Sequence, residues 1–139
     1  KNRSWSNTTG LIQGVTTITS SNEAKKDFNG FQNTQSIAEY THASAAYECT
    51  VTQFKNGQMG YLASVGEWME IINNLDEINR CMSLIDGLDI DEGTTSYWTS
   101  TQYNSEKAWL MTYNGNEFYP NDERKTVSFY AIRVISQLI

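Results

Sequence analysis

The stretch Ser64-Val65-Gly66-Glu67-Trp68-Met69-Glu70-Ile71-Ile72 decides how the chain is read. Ser64 and Glu67 are the two halves of a capping box, in which a hydroxyl and a carboxylate each satisfy a backbone N–H left free at a helix start. Trp68, Ile71, Ile72, Leu75, Ile78 and Met82 follow at three- and four-residue steps. That apolar stripe predicts a helix laid on a core. Asn74-Leu75-Asp76-Glu77 offers a second box, so a break and restart is expected near residues 73 and 74, with Gly87 closing the helix. Glu67, Glu70, Asp76 and Glu77 then form its solvated face.

Upstream, a second helical pattern covers residues 33–48, where Asn33 or Thr34 can cap and Ile37, Tyr40, Ser44 and Tyr47 share one face. Before it, residues 1–30 are rich in Ser, Thr, Asn and Gly, and Gly14-Val15-Thr16-Thr17-Ile18-Thr19 predicts an initial strand. Short strand-like pieces flank the turn Lys55-Asn56-Gly57. From Tyr97 onward the period changes to two. Residues 97–100, 108–113, 117–119 and 127–135 read as strands, and Asn114-Gly115 carries a type I′ hairpin signal. Helices followed by hairpin-connected strands, without βαβ alternation, predict an α+β fold.

At 139 residues with 39% hydrophobic and one Pro, the chain suits one domain with its own core. Its net charge of −6 argues against nucleic acid, which needs a cationic face to displace counterions. No apolar run is long enough to span a membrane. Starting at Lys1 with no initiator Met or leader, it is expected to be a processed chain or a fragment. Cys49 and Cys81 leave a disulfide, two buried thiols and a redox pair all open, and the absence of Cys-x-x-Cys or a His cluster argues against zinc.

Catalysis finds little support. His42 is a lone histidine inside the expected first helix, no Gly-x-Ser-x-Gly elbow is present, and the glycines form no phosphate loop. Asp86, Asp89, Asp91 and Glu92 could offer oxygen ligands to calcium, but the spacing is not that of an EF-hand, and a solvated acidic loop is the preferred reading. The compositional anomaly lies elsewhere. Residues 97–130 hold nine of the 17 aromatics, where an even spread would put about four. Amides are interleaved with them, the mixture recognition surfaces use because Tyr and Trp bury area at little entropy cost. Trp98, Trp109 and Phe129 are expected in the core, and the excess at loop-like positions is what points to recognition.

Five motifs then occur in order: Gly60-Tyr61-Leu62-Ala63-Ser64-Val65-Gly66-Glu67-Trp68, Tyr97-Trp98-Thr99-Ser100-Thr101-Gln102-Tyr103, Ala108-Trp109, Asn114-Gly115-Asn116 and Ile132-Arg133-Val134. Together they resemble the bacterial C-type-lectin-like domain family of Bacteroidetes surface proteins, related to variable ligand-binding proteins of diversity-generating retroelements and to formylglycine-generating-enzyme-like domains. Asp27-Phe28-Asn29-Gly30-Phe31-Gln32-Asn33-Thr34 also looks like the upstream part of such chains. The family's Pro after Gly-Tyr-Leu is Ala63 here, and the first Ser of its Tyr-Trp-Ser-Ser is Thr99.

The resemblance implies a C-type-lectin-like fold, two to three helices packed on antiparallel strands, with residues 1–139 as a single lectin-like domain at the C-terminal end of a longer exported protein. It implies a noncatalytic, adhesion-type domain at the cell surface or outer membrane, on a pilus or lipoprotein. The expected ligand-binding residues are Gln102, Tyr103, Asn104, Lys107, Asn114, Asn116, Tyr119, Asn121 and Asp122. The expected partner is a host or bacterial protein or a glycan, with neighbouring domains of the longer chain besides; no cofactor and no metal are expected. Formylglycine-type chemistry does not carry over, because its redox cysteines lie in the C-terminal half and both cysteines here precede it. Tyr119-Pro120-Asn121-Asp122 lacks the acidic residue before Pro that calcium-dependent sugar binding uses. The alternative reading is a structural module of a surface fibre or envelope assembly, joined through a sheet edge or the N-terminal arm.

Overall fold

The computed structural model describes residues 2–52, 59–74, 96–114, 117–128, 130–132 and 134–135. In chain order these form β1 (Asn2–Arg3), α1 (Ser21–Ala24), α2 (Gly30–Tyr40), α3 (Ala45–Thr50), β2 (Tyr61–Leu62) and α4 (Val65–Asn73). They continue with β3 (Ser96–Gln102), β4 (Lys107–Tyr113), β5 (Phe118–Arg124), β6 (Tyr130–Ala131) and β7 (Val134–Ile135). The fold class is α+β. One sheet runs β1-β6-β3-β4-β5, antiparallel except for the parallel β3–β6 contact, and β2 pairs with β7 separately.

The sheet divides the core by strand alternation, which sends successive side chains to opposite faces. Trp98, Ala108 and Leu110 pack on one face with Trp5, Ile12, Ile37 and Cys49. Tyr97, Trp109, Met111 and Phe118 pack on the other with Ala24, Val65 and Trp68. Trp98 and Trp109 are thus core residues, as their positions in the period-two pattern imply. Phe129 lies outside the described residues.

α4 begins where the capping box predicts. The Ser64 N–H donates to Glu67 Oε1 at 3.0 Å, while the Ser64 hydroxyl turns to the Asp27 carbonyl at 2.6 Å. Burial pushes the Glu67 carboxyl up, against the lowering effect of its Ser64 hydrogen bonds. Trp68 is fully buried and Ile71 and Ile72 are half-buried. The helix ends at Asn73, the expected break; Leu75, Ile78, Met82 and Gly87 lie outside the described residues. Gly66 donates its N–H to the Asp27 carbonyl at 2.9 Å, and a Cβ there would run into the Asp27 carbonyl and stand 2.8 Å from that of Lys25. Both obstacles are backbone. Gly66→Ala is therefore expected to cost about 2–3 kcal/mol of unfolding free energy in urea titrations, within the overpacking range.

Four expectations for the N-terminal half need correction. The helix expected over residues 33–48 is two helices. Thr41 is extended, its hydroxyl accepts from the Ala43 N–H at 3.1 Å, and Ser44 caps α3 by accepting from the Tyr47 N–H at 3.1 Å. Ser and Thr hydroxyls offer the backbone such local alternatives to a continuous helix. The break is held by the N-terminal chain, where Asn7 N–H donates to the Ala43 carbonyl and Ala45 N–H to that of Trp5. Asn33 and Thr34 are buried inside α2 rather than capping it. His42 accordingly sits in the link between helices, not within one. Finally, residues 14–19 form no strand: Gly14 has φ +84°, and a single parallel bridge joins Thr17 to Gln102. The piece expected over residues 127–135 is two short strands entering different sheets.

Candidate functional site

The site region grows out of an irregularity in β3. Trp98 opposes Leu110 and Gln102 opposes Ala108, so four steps on β3 match two on β4. Such bulges re-aim the residues between. Thr99, Ser100 and Thr101 are buried, and their groups leave the ladder for other partners. The Trp5 Nε1–H donates to the Thr99 carbonyl at 2.7 Å, Thr99 Oγ1 donates to the Trp109 carbonyl at 2.8 Å, and Ser100 N–H donates to the Ala63 carbonyl at 2.8 Å. Thr101 Oγ1 donates to Asp27 Oδ2 at 2.7 Å and accepts from the Val65 N–H at 3.0 Å.

Asp27 is the hub beneath this bulge. Its carboxylate is buried and also accepts from Thr16 Oγ1 (3.1 Å), the Asn29 N–H (2.9 Å) and Asn33 Nδ2 (3.0 Å). One side chain thereby joins the N-terminal segment, α2 and β3, and the Asp27 backbone carbonyl adds the start of α4. A buried carboxylate is tolerated only when hydrogen-bonded in this way.

The nine residues expected to bind ligand do not form one face. Gln102 is fully buried and belongs to the core, a correction to its expected role. Its Oε1 accepts from the Ile12 N–H (3.0 Å) and from Lys125 Nζ (2.6 Å), and its Nε2 donates to the Ile12 carbonyl (3.2 Å) and Thr17 Oγ1 (2.9 Å). The sequence gives no sign of this, because an amide in a strand suits a surface equally well.

Register divides the others. Lys107 and Asp122 project to the side of Trp109, whereas Tyr119 and Asn121, opposite Thr112 and Leu110, project to the other side. Lys107 Nζ bonds Asp122 Oδ2 at 3.0 Å and lies 5.7 Å from the centroid of the Tyr103 ring. The Asp122 contact raises the Lys107 pKa. Tyr103 itself packs edge-on against Trp109 at 5.2 Å. Asn104 Oδ1 accepts from the Glu106 and Lys107 N–H groups at 2.8 Å each, so this amide shapes the turn that presents Lys107. The structure therefore brings Tyr103, Asn104, Lys107 and Asp122 together. Tyr119, 38% exposed, and the exposed Asn121 form a separate edge. Asn114 closes the β4–β5 hairpin by accepting from the Glu117 N–H at 2.9 Å. Asn116 and Gly115 lie outside the described residues, as do Cys81, the turn at residues 55–57 and the acidic cluster at residues 86–92. Burial and the neighbouring Glu48 push the buried Cys49 thiol up to about 12, so it carries no thiolate reactivity at neutral pH.

Lys125 was not singled out by sequence, where it ends an ordinary charged run, yet it is fully buried. Its Nζ donates to the Gly10 carbonyl at 2.7 Å and to Gln102 Oε1, and stands 4.9 Å from the Trp5 ring centroid. Burial lowers its pKa to about 8. Its backbone N–H donates to the Glu106 carbonyl, tying the Tyr103–Lys107 turn to the N-terminal segment.

Comparison with protein-family models, curated proteins and solved structures gives no match to this chain. Among the described residues, no helix is long and apolar enough to cross a membrane, and no group of three or more His, Cys, Asp or Glu could hold a metal ion.

Proposed function

We propose that this chain is a noncatalytic binding domain of C-type-lectin-like fold, from the surface of a bacterial cell, that recognises a protein or a glycan through Tyr103, Asn104, Lys107 and Asp122. The observation that carries the reading is a division of labour between motif and surface. Leu62, Ala63, Ser64, Val65, Trp68, Tyr97, Trp98, Thr99, Ser100, Ala108 and Trp109, all from the motifs that resemble the family, are buried. Gly66 and Glu67 are committed to α4's start. These shared residues build a scaffold; Tyr103, the last residue of the second motif, directly follows β3, and Asn104–Lys107 with β5 lie outside the five motifs. Tyr103 supplies a rigid aromatic face, and the Lys107–Asp122 pair supplies both charge signs beside it.

Two features weigh against the assembly reading. The N-terminal segment is already spent inside the domain, with Trp5, Ile12 and Val15 buried. The edge strand β5 carries Pro120, Asp122, Glu123 and Arg124, the residue types that discourage strand addition. Tyr103→Ala is expected to weaken capture of a ligand found on a glycan or surface-protein array about tenfold or more, the range of an aromatic anchor. The circular dichroism spectrum should not change. Tyr119→Ala, on the other side of the strand, is expected to leave capture within about twofold; the opposite ranking of the two variants would move the site to the Tyr119–Asn121 edge.

A further inference from the structure

A recess lies between α2 and α3. It is an open cavity of about 230 Å³, below the size of a drug-like pocket and suited to one side chain. Gln35, Ala38 and Glu39 line it from one face of α2, Tyr47 and Thr50 from α3, and Met59 and His42 complete it. His42 stacks on Tyr47 with centroids 4.2 Å apart and planes 19° apart. The Ser44 cap fixes Tyr47 from the backbone side, and Asn7 bonds both Thr41 Oγ1 and the Ala43 carbonyl, so the aromatic pair stands on a braced link.

Among the described residues that line this cavity, Glu39 is the one carboxylate, and it is exposed. Glu39 sits in the last turn of α2, where the helix end already carries partial negative charge, and that turn holds no basic residue. Among the described residues Glu39 has no hydrogen bond or ion pair, and the Tyr47 hydroxyl and the His42 ring nitrogens have no hydrogen bond. Among the described residues, no Lys or Arg lines the cavity. An exposed carboxylate at a helix C-terminus, lining the same recess as an aromatic pair and without a cation among the described residues, suits a ligand that brings a cation with it. An alkylammonium would gain Glu39 and the helix end at its head and the Tyr47 ring and Met59 along its stem. A sugar would supply hydroxyls but leave the charge uncompensated.

We infer that the cavity between α2 and α3 binds a cationic side chain, the lysine of a partner protein. The test is an NMR titration of the intact domain with N-acetyl-lysine methylamide, following the His42 and Tyr47 ring signals. Norleucine methylamide, equally acetylated, and N-acetylglucosamine serve as neutral probes. The expected result is saturable shifts confined to residues 35–50 and Met59 with the lysine probe, weakened about fivefold in Glu39→Gln, the limit of an exposed ion pair. Tyr47→Ala should weaken them as well, while amide dispersion elsewhere is unchanged in Glu39→Gln. Equal shifts with the norleucine probe, no response to lysine, or an undiminished response in Glu39→Gln would each overturn the inference. Shifts with N-acetylglucosamine alone would make the cavity a glycan site instead.

Discussion

Lys125→Ala is expected to lower the unfolding free energy by about 3–5 kcal/mol. The truncation removes the Lys125 donor from the Gly10 carbonyl, leaves Gln102 Oε1 with the Ile12 N–H alone, and opens a void beside Trp5. Lys125→Met keeps most of the volume and removes the buried charge, so it should cost less. The same residue predicts a pH signature. Its folded pKa of about 8 lies below the unfolded value, so the unfolded chain binds the proton more tightly. Stability should therefore rise as pH climbs from 8 towards 10, by about 2 kcal/mol from this group, and stay flat for it below 8. Urea unfolding at pH 7, 8, 9 and 10 checks this. In Lys125→Met the rise should be absent; an identical rise in both proteins would assign it to other groups.

Asp27→Ala is the second large effect, with an expected loss of about 3–5 kcal/mol. The change strands the hydroxyls of Thr16 and Thr101 and the Asn33 amide, all turned inward to the carboxylate. Asp27→Asn retains acceptor capacity at one oxygen and should cost less than half as much. Because Asp27 also presents its carbonyl to Ser64 Oγ and Gly66 N–H, the Ala variant tests whether side chain or backbone dominates this junction. A loss under about 1 kcal/mol would mean the backbone contacts suffice.

How much of this was legible in the sequence follows from the range of each interaction. The α4 start could be read because a capping box is local, and the strands of the β3–β5 meander because alternation is local too. The break between α2 and α3 was missed because it depends on the pairing of residues 6 and 7 with residues 43 and 44, which no local pattern records. Gln102 was misplaced for the same reason. Its partners are Ile12, Thr17 and Lys125, all remote in sequence, and an amide so satisfied is indistinguishable beforehand from one facing solvent. The aromatic count points to residues 97–130 but cannot resolve their faces. One step along β5 separates Asn121 from Asp122, and a strand turns that step into opposite sides of the sheet.

That separation gives the most direct test of the binding face. The isolated domain and its Tyr103→Ala, Lys107→Ala and Tyr119→Ala variants should be applied in parallel to one array of glycans and bacterial surface proteins. The account predicts that features retaining the wild-type domain lose both Tyr103→Ala and Lys107→Ala while keeping Tyr119→Ala. An array that retains none of the four, or retains the first two variants as well as wild type, would contradict it.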